Sequence, residues 1–243
     1  MKKLIAAVMV TAMMLSMSGC FLANGNQYKK AKKKVFEAAQ EAFGVQELSD
    51  EDKELLMDDS LKEEKISEEA EELLSEGIFA EITKEEIEAR LEEADVEDQL
   101  SELGTDVDFT PEDMENVCIV GKKTGENEIV VAMVIDFKKK STCEDMFDEL
   151  YSSYEKTATM MNIAAARDDS VKCEISKGKK DLGFLLRYDE ENLIMAAYIE
   201  RAGDTITLVT FAGPIDSDLY EEFLEFDDIA GFAGFSAMAE EME

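Results

Sequence analysis

The chain has 243 residues, with 25 basic side chains against 58 acidic ones, a net charge of −33, and no histidine. Such a polyanion repels nucleic acid, which excludes nucleic-acid binding, while an apolar fraction of 45% is too high for a disordered acidic tail. Without histidine there is no Ser–His or Cys–His nucleophile pair, and the commonest general base and zinc ligand are missing.

The chain opens with Lys2 and Lys3, followed by an apolar run at 4–15 that is too short to span a bilayer but suits a secretory signal. Ser18 and Gly19, both small, then precede Cys20, with Met17 at the third position back. This segment resembles the lipobox signal peptide of bacterial lipoproteins, with Met17 where that family usually carries leucine. The resemblance covers residues 1–20. It implies a signal peptide at 1–19, cleavage before Cys20, and diacylglyceryl transfer to the Cys20 thiol. It also implies a mature chain anchored by membrane lipid on the extracytoplasmic face of the cell membrane.

Residues 20–27 read as a tether. Lys29, Lys30, Lys32, Lys33 and Lys34 follow with no acid among them, whereas 37–243 hold 18 basic and 58 acidic residues. A lysine beside an anionic lipid surface contributes about 1 kcal/mol. The five are therefore expected to contact the membrane while the acidic body is pushed outward. Their place in the first turns of a helix opposes the helix dipole, which also points to a role outside the helix.

Residues 28–112 read as an acidic, helix-rich segment. Tyr28, Ala31, Val35, Ala39 and Ala42 recur at helical spacing, and Gly44 stands where a helix stops. Ser49 with Asp52 forms a capping box, and Ser67 caps a second helix burying Ala70, Leu73 and Leu74. Ile78, Phe79, Ala80 and Ile82 form a short strand. Thr83 with Glu86 starts a helix carrying Ile87 and Leu91, residues 95–109 read as loop, and Thr110 with Pro111 starts another helix.

Residues 113–243 read as a sheet domain. The period of two predicts a hairpin of strands at 117–120 and 129–137, the second apolar on both faces and so central. Thr142 with Asp145 caps a long helix carrying Met146, Phe147, Leu150, Tyr154 and Met161. Strands at 171–176, 181–188, 193–201 and 205–212 form an antiparallel meander, and Asp216 caps a last helix. Strand–turn–strand–helix thus occurs twice, a pattern open to a duplication. The apolar stretch 229–239 reads as a closing segment on the sheet. The expected fold class is α+β, with a mainly antiparallel sheet of about six strands, packed helices, and the acidic segment before it.

Candidate sites are few. The stretch from Asp106 to Thr110 begins like a calcium loop, but Pro111 and Val117 stand where that loop needs glycine and glutamate. It reads as a helix-capping loop, and Asp168, Asp169, Asp216, Asp218, Asp227 and Asp228 as turn or cap residues. No cofactor motif and no metal-ligand spacing is present. With Cys20 acylated, Cys118, Cys143 and Cys173 remain, an odd set that leaves a free thiol or an intermolecular bridge. A Cys118–Cys173 bridge is one arrangement the count allows. The function expected is a non-catalytic binding or structural module on the cell surface, with a protein partner there. The alternatives are a substrate-binding receptor for a membrane transporter and an enzyme using carboxylates, a cation or Cys143.

Overall fold

The structure is a computed structural model and describes residues 26–60, 68–83, 114–125, 127–167 and 170–242. The signal peptide, Cys20, Ser67, the helix expected after Thr83, the loop at 95–109, the helix start at 110–113, Asp168 and Asp169 lie outside the described residues.

Helix α1 spans Asn26–Phe43, and Gly44 ends it in the left-handed region at φ 68°, as its place in the sequence predicts. Its apolar stripe buries Tyr28, Val35, Ala38, Ala39 and Phe43. Strand β1 (Gln46–Glu47) follows, then α2 (Asp50–Ser60) and α3 (Glu68–Glu76). Ser49 caps α2 as expected, its hydroxyl accepting from the Asp52 backbone N–H at 3.2 Å.

Next come β2 (Ile78–Thr83), β3 (Met114–Gly125), β4 (Glu128–Phe137) and the long helix α4 (Lys140–Ala165). Four strands then form the expected meander: β5 (Val171–Lys177), β6 (Asp181–Tyr188), β7 (Leu193–Ala202) and β8 (Thr205–Gly213). Two helices close the chain, α5 (Asp218–Ala230) and α6 (Phe235–Glu241).

Among the described residues eight strands form one sheet in the order β1-β2-β3-β4-β8-β7-β6-β5, antiparallel except for the β1–β2 pair. The α+β class holds, but the sheet has eight strands rather than about six. Both extra strands come from the acidic segment. Strand β3 is longer than the apolar core of its sequence, and β2 covers its outer edge from Thr83↔Asn116 to Ile78↔Gly121. Left bare, that edge would expose a row of unpaired backbone groups. Strand β1 is held by Gln46 N–H to Gly77 O (3.3 Å) and Leu48 N–H to Phe79 O (2.9 Å).

Strand β4 is central, and every residue from Ile129 to Phe137 is buried. Its odd residues Ile129, Val131, Met133, Ile135 and Phe137 share a core with Leu56 of α2, Ala70 and Leu74 of α3, and Cys143, Met146 and Phe147 of α4. Its even residues Val130, Ala132 and Val134 share the opposite core with α1, α5 and α6. Helices thus cover both faces of the sheet.

Two expected caps are corrected. Helix α4 starts at Lys140, two residues before Thr142, with no side-chain cap, because the chain turns directly out of β4. Ser217, not Asp216, caps α5 by accepting from Tyr220 N–H at 3.0 Å, while Asp216 accepts from the Asn192 amide at 2.8 Å. The closing stretch packs as expected: Phe235 is fully buried against Phe223, with ring centroids 5.2 Å apart. The Asp227 carboxylate seats it by accepting from Ala233 N–H (3.1 Å) and Phe235 N–H (2.7 Å).

The Cys118–Cys173 bridge does not form; both cysteines are free, as is Cys143. Cys118 lies on β3 and Cys173 on β5, with β4, β8, β7 and β6 between them. At the usual strand spacing that is roughly 24 Å, against a limit of about 7 Å between bridged Cα atoms.

Candidate functional site

Helix α1 carries the lysine cluster, and its docking on the sheet splits that cluster in two. Lys29, Lys30 and Lys33 are exposed on the side opposite Tyr28, Val35 and Ala39. Lys33 lies 3.6 Å from Glu37 one turn on. Lys32 and Lys34 turn inward instead. The Lys32 ammonium is 2.6 Å from Glu81 Oε2, and the Tyr28 hydroxyl donates to Glu81 Oε1 at 2.9 Å. One carboxylate on β2 therefore pins the first turns of α1. The Lys34 ammonium sits 4.2 Å from the centroid of the Phe232 ring. Burial lowers its pKa, while Glu200 and Asp227 pull it back up.

Beneath α1 the sheet carries a polar cluster that the sequence reading missed. Asp136 of β4 is only 3% exposed, with Thr205 and Asn116 as its hydrogen-bond partners. Desolvation, then the neighbouring Glu115 and Asp204 carboxylates, push Asp136 up to about 7. Glu115 is also raised, by burial first and Asp204 second, and among the described residues its buried Oε1 has no hydrogen-bond partner. Tyr28 stays protonated because burial, Cys118 and Glu81 all oppose its ionisation. A single acid inside an otherwise apolar strand was the sequence mark of this cluster. Among the described residues no group of three or more potential ligands is placed to hold a metal ion.

Cys118 and Cys143 are shielded, and Cys173 is half-buried. Cys143 is fully buried, and desolvation pushes it up to about 12 although Arg201 pulls the other way. Burial and Glu174 push Cys173 up to about 11, and burial raises Cys118 too. Nucleophilic cysteine chemistry needs the thiolate, which these environments suppress at neutral pH. Asp227 and Asp228 lie within the last turns of α5 rather than in a turn, Asp227 holding the start of α6 through Phe235 N–H and Asp228 accepting from the Ser236 hydroxyl at 3.1 Å. Asp218 lies in the first turn of α5.

Among the described residues no helix is long and apolar enough to cross a membrane. No protein-family model and no curated protein matches the chain.

Proposed function

We propose that this chain is a membrane-anchored extracytoplasmic lipoprotein that works as a non-catalytic binding or structural module. The observation that carries the reading is the N-terminal arrangement: two lysines, the apolar run at 4–15, and Ser18-Gly19-Cys20. A diacylglyceryl group on the Cys20 sulfur brings two acyl chains and makes a stable anchor, where one chain alone holds marginally.

The start of the folded body fits such an anchor. Helix α1 begins at Asn26, so the chain between it and Cys20 reaches at most about 20 Å. Tyr28 and Lys32 tie that helix to the sheet through Glu81, which keeps the body close to the bilayer. Lys29, Lys30 and Lys33 then stand on the outer side of the element nearest the anchor. A non-catalytic role is supported by the burial of Cys118 and Cys143, by raised pKa values at all three thiols, and by one sheet with helices on both faces.

Labelling with an alkyne fatty acid in a bacterial host tests the anchor. The wild-type chain is expected to take the label and sediment with membranes, and Cys20→Ser to lose both properties. An unlabelled wild type, or a Cys20→Ser chain that keeps its label, overturns the reading.

A further inference from the structure

Strand β5 ends the sheet: among the described residues it pairs with β6 and with no other strand. Its hydrogen bonds show which backbone groups are open. Asp189 N–H donates to Ser170 O, and Gly178 N–H donates to Asp181 O, each at 2.9 Å. Between these two pairs the register runs without a shift. Even-numbered residues of β5 therefore bond toward β6, and Val171, Cys173, Ile175 and Lys177 turn their N–H and C=O groups to the open side.

An edge of this kind is a template for a further strand. Its own sequence is complementary to it. In an antiparallel pair centred on Cys173, Lys172 faces Glu174 of the second copy on one side of the sheet. On the other side, Val171 faces Ile175 of the second copy, and Cys173 meets its own counterpart. The Lys172–Glu174 pairs are charge-matched, the Val171–Ile175 and Cys173 pairs are apolar, Ser176 faces Ser170, and the residues that would exchange hydrogen bonds are those whose backbone groups are open. Moving the centre to 172 or 174 instead opposes Lys172 to Lys172 or Glu174 to Glu174.

Two copies carry like net charge and this edge is itself net positive, so the two Lys172–Glu174 pairs and the backbone bonds of the join have to outweigh that repulsion. Residues 170–180 hold Lys172, Lys177, Lys179 and Lys180 against Glu174 alone. Lys172 bonds the Met242 carbonyl within its own chain and lies 3.8 Å from Asp189, partners that Glu174 of the second copy would share or replace. Val171 and Ile175 belong to the apolar layer beneath α4, which a second copy would continue across the join.

We infer that β5 is a docking edge for a second copy of this chain, paired antiparallel about Cys173 to make one continuous sheet with two-fold symmetry. The inference does not depend on the membrane anchor.

Light scattering on the full chain in detergent, over a concentration series, tests it. The mass is expected to move from one copy to two. K172E and E174K each replace two attractive cross-strand pairs by two repulsive ones, and each is expected to weaken the dimer about ten-fold. The double variant K172E/E174K restores it. Amide exchange read by residue gives a second measurement. The N–H groups of Val171, Cys173 and Ile175 gain protection on dimerisation, while those of Lys172 and Glu174 are protected in the single copy already. A mass of one copy throughout overturns the inference. So does a dimer that ignores both single charge reversals or leaves the odd-numbered amides unprotected.

Discussion

Asp136 is the residue whose environment most opposes its usual state. Buried at the end of β4 beside Glu115 and Asp204, its carboxyl holds its proton up to about pH 7 in the folded chain. In the unfolded chain it titrates near 3.9. Because the folded value is the higher one, the protonated form favours folding. The contribution is whole below about pH 4 and is lost as the pH rises through 7. Asp136→Asn keeps an acceptor for Thr205 without the ionisation. It is expected to stabilise the chain by about 2–4 kcal/mol at pH 8 and by almost nothing at pH 4. Urea unfolding of variant and wild type at both pH values checks this; an equal difference at the two would refute it. Asp227 is the counterexample. Its pKa is also raised by burial, but its carboxylate accepts from Ala233 and Phe235 N–H. Asp227→Ala strands both donors and is expected to cost about 2 kcal/mol or more.

At the scale of elements, the closing helix α6 shows how an apolar run is divided between packing and surface. Phe235 is fully buried between α5 and the sheet, whereas Ile229 is 40% exposed on α5. Phe235→Ala should therefore cost about 3–5 kcal/mol in denaturant unfolding, and Ile229→Ala well under 1 kcal/mol. Equal losses would mean that α6 is not seated as described. Elements of this kind were legible in the sequence when their marks were local. Strand β4 announced itself by apolar residues at both odd and even positions. The meander was marked by its turns, where Asn192 and Gly203 take positive φ. Strand β1 left no such mark, being two exposed residues, and β2 finds its partner β3 only beyond a long acidic stretch. Caps failed for another reason. Thr142 and Asp216 have the right chemistry, but the exit of the chain from β4 and the Asn192 amide decided their places. The polar cluster left only Asp136, one acid in an apolar strand, as its mark, because Glu115, Asp136 and Thr205 come together from three different strands.

The whole molecule is set by which face each helix takes. The two strand–turn–strand–helix units centre on the adjacent antiparallel strands β4 and β8, and a two-fold axis relating these would keep both helices on one face. Instead α4 packs against Ile135 and Phe137 while α5 packs against Val130 and Phe211, on opposite faces. The shared pattern is therefore not a repeated fold. The same placement of faces divides the lysines of α1, and so the charge that the body can offer a membrane. Lys29, Lys30 and Lys33 are exposed, whereas Lys32 is bound to Glu81 and Lys34 is held against Phe232. Each exposed lysine can contribute about 1 kcal/mol at an anionic surface, within a screening length of roughly 8 Å at physiological salt. Reversing Lys29, Lys30 and Lys33 to glutamate should lower partition of the acylated protein into anionic vesicles at low salt by ten-fold or more. Reversing Lys32 and Lys34 should act mainly on stability, because Glu81 then faces a like charge at the foot of α1. Vesicle sedimentation and thermal unfolding of the two variants separate these effects. If the exposed-lysine variant partitions like the wild type, α1 is held to the body but has no orienting role at the membrane.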